Sequence, residues 1–157
     1  MYAAASYQER KVVLLGHLYD GIAFDASVSA EEAHYLLKLA DQLTYRQLVA
    51  LATLQDPESF DRLAKASYQR DEGTTGPTDA LALELDDLAD QGALGVLVEG
   101  SEEVTRPGEL YGSSGRASAK DLQSLQLTQT GLNLHRLMRL DAVSVEDRAR
   151  LLAAVAF

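Results

Sequence analysis

The chain contains no cysteine, so neither a disulfide framework nor a thiolate zinc site is available to it. No window approaches the roughly 18 uninterrupted apolar residues of a membrane span. Glu9, Arg10 and Lys11 precede the short apolar run near the start, with no small-residue cleavage pattern behind it. These absences predict no signal peptide, no membrane span and a cytoplasmic protein. There is no nucleophile elbow, and no glycine-rich loop that leads a strand into a helix with Lys-Ser/Thr. Nor is there an internal repeat. The most telling lack is of positive charge in the middle of the chain. From Asp71 to Thr105 there are ten acidic residues and no basic one. That stretch accounts for the whole net charge of −10, because 24 acids less ten leaves 14 against 14 bases.

What is present reads as one globular unit. At 157 residues with 46% apolar content, the chain is long enough to bury roughly 70% of its unfolded surface. Its acidic balance favours solubility and disfavours anionic partners such as membranes and nucleic acids. Helix signals are frequent. Val12, Leu15, Tyr19 and Ile22 recur at helical spacing between Ser6 and Ala23, with Leu14 and Leu18 widening the stripe. Ser29-Ala-Glu-Glu32 and Thr44-Tyr-Arg-Gln47 are capping boxes, the second framed by Leu43 and Leu48 as a hydrophobic staple. Leu48, Leu51, Ala52 and Gln55 then line one side. Asp56-Pro57 opens a helix that runs through Phe60 and Leu63 to about Tyr68. A loop at Asp71–Pro77 precedes a helix over Asp79–Gln91, stopped by Gly92. Leu94–Val98 and Ser124–Leu127 read as strands around a glycine- and serine-rich Glu99–Asp121 stretch. Thr128 caps a helix through Leu132, His135 and Met138, and Ser144 opens the last helix.

Helices followed by a two-stranded ribbon and a further helix, over residues 43–140, resemble a winged-helix domain. The pattern is similar to that of bacterial multiple-antibiotic-resistance-type (MarR-like) regulators. Two pieces carry it: Gly92-Ala-Leu94 after a leucine-rich helix, and Leu127-Thr128-Gln-Thr-Gly131 after the second strand. The expected fold is therefore mainly α with a small two-stranded β wing. Residues 1–42 would form a helical extension and residues 43–157 the winged-helix-like domain. The resemblance also implies a homodimer paired through terminal helices, here residues 1–42 and Leu151–Phe157.

Two departures bear on function. About eight residues, Asp71–Thr78, separate helices that the family joins by a tight turn. The helix expected to enter the major groove carries acids instead. At about 100° per residue, Asp79, Asp86, Asp87 and Asp90 share one arc opposite Leu81, Leu85 and Leu88. Duplex affinity comes largely from neutralising phosphates, and this helix does the reverse. The arc is either a plain solvated face or a docking surface for a basic protein partner. The alternative of a DNA-binding regulator rests on Arg106, Arg116 and Lys120 in the wing, diluted by Glu99, Glu102, Glu103, Glu109 and Asp121.

Glu31 and His34 have the i, i+3 spacing of diiron bundles, but neither His17 nor His135 has an acid three residues earlier. No metal site and no cofactor are expected. His17 and His135 lie on largely apolar helices and read as partly buried histidines with satisfied hydrogen bonds. The dispersed tyrosines, among them Tyr7, Tyr19 and Tyr35, read as half-buried rings with surface hydroxyls, or alternatively as part of a protein interface. The sequence thus predicts a non-enzymatic winged-helix-like regulatory or protein-interaction module, not a DNA reader through its third helix.

Overall fold

Serine and threonine side chains cap the starts of four helices in the computed structural model, which describes residues 2–56, 58–59, 77–97, 104–105 and 125–154. The elements run α1 (Tyr2–Phe24), α2 (Ala30–Gln42), α3 (Tyr45–Thr53), α4 (Pro77–Asp90), β1 (Leu94–Leu97), β2 (Val104–Thr105), β3 (Leu125–Leu127) and α5 (Gln129–Leu137), then a 3-10 turn (Leu140–Ala142) and α6 (Val145–Ala153). The fold is mainly helical with a small antiparallel sheet. Of the helix expected after Asp56-Pro57, Glu58 and Ser59 are described, and the Ser59 amide donates to Asp56 Oδ2; the rest of that helix, the loop at 71–76 and the Gly112–Gly115 run lie outside the described residues.

Ser29 caps α2 by accepting from the Glu32 amide. Its expected return bond is not made. Glu32 Oε1 instead accepts from Asn133 Nδ2 at 2.6 Å, fastening α2 to α5. At Thr44 the box is complete, with Gln47 Oε1 accepting from the Thr44 amide at 2.8 Å. That bond lets Gln47 sit buried under α3. Every residue of α3 except Arg46 is buried, so this helix is the axis of the core, packed by α1, α4, α5, α6 and the 3-10 turn. The one-sided stripe expected over Leu48–Gln55 understates this, because a helix apolar on all sides is enclosed on all sides. Gln55 itself is exposed.

Among the described side chains of α1, Leu14 and Leu18 are buried, while Val12 and Tyr19 stay 65% and 60% exposed. The expected stripe was too wide: α1 is apolar on more than one side, and packing against α2, α3 and α5 selects which side is buried. On α5 the core side chains are Leu134, Leu137 and the following Met138, and Leu132 faces outward. Leu14 and Leu18 belong to the same buried cluster as α3, α4 and α5.

Gly92 ends α4 in the left-handed region, at φ 79°. The Gly92 amide donates to Ala89 O and the Ala93 amide to Leu88 O, which closes the helix end. The ribbon then forms between β1 and β3, with Leu94 opposite Leu127 and Val96 opposite Leu125. A two-residue β2 joins the other edge of β1, so the sheet has three strands in the order β2-β1-β3. Thr128 Oγ1 accepts from the Gly131 amide and donates to Gly92 O, and the Thr128 amide donates to Ala93 O. A Cβ on Gly131 would stand 2.2 Å from Ala93 O, so only glycine fits. The two sequence pieces noted above therefore interlock. Among the described residues, no helix is long and apolar enough to cross a membrane.

Candidate functional site

Two carboxylate sites stand out, a group on the surface and a single buried aspartate. The surface group is on α4. Leu81, Leu85 and Leu88 point into the core, which turns Asp86, Asp87 and Asp90 to solvent. The Asp79 side chain, on the same helix, lies outside the described residues, as do Arg106, Arg116 and Lys120. Glu84 sits at the edge of this face, half-buried. Arg46 Nε on α3 comes within 3.1 Å of Glu84 Oε2, yet the angle makes no hydrogen bond. Burial pushes the Glu84 carboxyl up, against the pull of Arg46.

The interior group centres on Asp147, which is 6% exposed in the first turn of α6. Ser144 caps that turn by accepting from the Asp147 amide, which aims the carboxylate inward between α1 and α3. Arg10 Nη1 on α1 donates to both its oxygens, at 2.7 and 2.6 Å. The Tyr45 hydroxyl at the start of α3 donates to Oδ2 at 2.8 Å. Burial opposes charge on Asp147, but hydrogen bonds from Tyr45, Ser144 and Arg10 outweigh it and hold the carboxyl below its usual range. Burial, reinforced by the adjacent Asp147 charge, pushes the Tyr45 phenol up to about 12. A carboxylate so fully engaged does not accept a proton near neutrality, and such a phenol does not give one up. Structurally the cluster ties α1, α3 and α6 together.

Smaller ties repeat the theme. Asp25 accepts from Ser27 and from Arg136, which hold its carboxyl down to about 2. Lys11 Nζ donates to Asp41 O, and the Tyr35 hydroxyl to Gln91 O. His135 departs from expectation: it is half-buried, and its Nε2 is enclosed without a hydrogen-bond partner. Burial accordingly lowers its pKa. Glu31 and His34 are both exposed, and among the described residues no three or more metal-ligating side chains gather.

The sequence placed Asp86, Asp87 and Asp90 opposite the leucines of α4, where they are exposed, and gave no sign of the Asp147 cluster. Arg10 lies 137 residues from Asp147, and Tyr45 lies 102 residues away. Asp147 itself reads as an ordinary first-turn acid after a serine cap. No protein-family profile, curated protein or solved structure matches the chain.

Proposed function

We propose that the chain is a non-enzymatic, winged-helix-like regulatory module whose α4 face docks a basic segment of a protein partner. The observation that carries this reading is the exposure of Asp86, Asp87 and Asp90 on the side of α4 away from the core. In a winged-helix arrangement that side would meet the ligand, and here it attracts cations and repels phosphate. The scaffold supports the reading too: within residues 43–140, α3 and α4 are followed by an antiparallel ribbon and then by α5. The fully engaged Asp147 cluster supports a structural, non-catalytic interior.

The experiment is a paired one. The chain, and an Asp87→Lys/Asp90→Lys variant, are tested for pull-down of partners from lysate and for retention on duplex DNA at low salt. The reading expects no DNA retention and a set of basic partners that the variant loses. Salt-sensitive DNA binding by the wild type, or a partner set that the variant keeps, overturns it.

A further inference from the structure

The junction between α5 and α6 concentrates polar groups that the fold leaves unmatched. Among the described residues four buried side-chain atoms lack a hydrogen-bond partner: Glu84 Oε2, Gln91 Oε1, His135 Nε2 and Arg148 Nε. The last two flank the 3-10 turn, His135 on α5 and Arg148 on α6. The turn itself follows a strained residue. Arg139, at φ 53°, is the one non-glycine residue among those described with a left-handed backbone, where its Cβ crowds the following carbonyl. A small set of bonds holds the segment. The Ala142 amide donates to Arg139 O and the Val143 amide to Leu140 O. Arg148 Nη2 donates to Leu140 O at 3.1 Å and to Asp141 O at 2.8 Å, which pins the turn to α6.

His135 lies within electrostatic reach of that pin. A neutral imidazole carries its proton on one nitrogen, so an enclosed Nε2 can stand as an idle acceptor. A protonated ring must donate from both nitrogens, and here Nε2 has no acceptor. The surroundings offer little relief. Asp141 of the turn favours the charged ring and Arg148 opposes it. The acids that α1 and α2 lend to α5 are used by other residues, Asp25 by Arg136 and Glu32 by Asn133. On α3, Tyr45 and Arg46 turn to Asp147 and Glu84. Asp147 of α6 is held by Arg10, and Asp56 beyond α3 by Ser59. Burial is the largest influence on the ring and holds it below its ordinary 6.5. The unfolded chain therefore takes the proton first. The stability contributed by neutral His135 is full above 6.5 and is lost as pH falls below it.

We propose that the α5–α6 junction is an acid-sensitive latch with His135 as its trigger. Protonation places a second cation beside the Arg148 guanidinium, in a site with no acceptor for the new donor. Arg148 then releases the Leu140 and Asp141 carbonyls, the turn opens, and the strain at Arg139 relaxes. The ties of Asp147 to α1 and α3 persist, because that carboxyl is held below its usual range. The opening is therefore confined to the turn and the adjoining start of α6. The latch uses α5, the turn and α6 and is independent of what docks on α4, so either can fail alone.

Amide hydrogen exchange of the full chain near pH 7.5 and near pH 5.5, corrected for the intrinsic pH dependence of exchange, tests this. The expected result is that protection of the Ala142 and Val143 amides falls at the lower pH by up to about tenfold, the limit that one proton sets between 6.5 and 5.5. These amides should also stay less protected than those of α3 at both pH values, because the turn opens without the rest of the fold. His135→Gln cannot take the charge and should abolish the fall. Glu84 does not imitate the effect: burial raises its carboxyl, so acid adds stability there. Nuclear magnetic resonance titration of the wild-type imidazoles needs no variant, and should show the His135 ring titrating below 6.5 together with the Ala142 and Val143 amides. Protection that is the same at both pH values, turn amides as protected as those of α3, a fall that His135→Gln keeps, or a His135 ring that titrates at or above 6.5 overturns the proposal.

Discussion

Asp147 and the aspartates of α4 carry the same functional group and meet opposite fates. The former is buried and matched by an arginine and a tyrosine from two other helices. Asp86, Asp87 and Asp90 stand in solvent on the back of an amphipathic helix. The difference teaches that a carboxylate's role follows from what the fold brings to it. A buried acid is held by its donors and contributes stability. An exposed cluster contributes a field and leaves the fold nearly indifferent.

Substitution sharpens the contrast most. Asp147→Ala leaves the Tyr45 hydroxyl without its acceptor and Arg10 without its partner. It should lower unfolding free energy by about 2–3 kcal/mol in urea titration. A loss no larger than that of an α4 aspartate would erase the distinction between the two regions.

Acid should remove the same contribution gradually. The Asp147 carboxyl is held below its ordinary 3.8 in the folded chain, so the unfolded chain binds the proton more readily. Its stabilisation is present above 3.8 and is lost as pH falls through the lower folded value. The gap between wild type and Asp147→Asn should therefore narrow as pH drops below 3.8, as read from urea midpoints. A gap that is constant with pH would mean the carboxylate is not engaged.

At the alkaline end Tyr45 does the converse. Its pKa is raised from 10 to about 12, so stability is full below pH 10 and falls as pH rises toward 12. Ultraviolet titration should show a late-titrating phenol that Tyr45→Phe abolishes. That substitution should cost about 1 kcal/mol, the usual scale for one hydrogen bond. The smallest effect belongs to the surface: Asp87→Asn and Asp90→Asn should each move stability by less than about 0.5 kcal/mol.

What the sequence disclosed was local. Ser29, Thr44, Thr128 and Ser144 are all N-caps in the structure, because a cap needs only a side-chain oxygen and the next turn of backbone. Gly92 as a helix stop and the Leu94–Leu127 pairing were legible for the same reason. The inner faces of α1 and α5 were less so. Val12, Tyr19 and Leu132 satisfy helical spacing as well as the residues that are buried, and only the packing partners choose between them. Glu32 was misassigned because its strongest donor, Asn133, arrives from a distant helix. The Asp147 cluster was invisible for that reason alone: three segments far apart in the chain build it. The α4 face was visible because one helix holds all of it.

The central claim is that α4 presents a surface unfit to grip a polyanion. Fluorescence anisotropy of a labelled duplex, titrated with wild type and with Asp87→Lys/Asp90→Lys at low and high salt, tests it directly. The account predicts no binding by the wild type at either salt, and weak, salt-sensitive binding once two carboxylates become ammonium groups. Tight, salt-sensitive binding by the wild type that the α4 substitutions alter would contradict it.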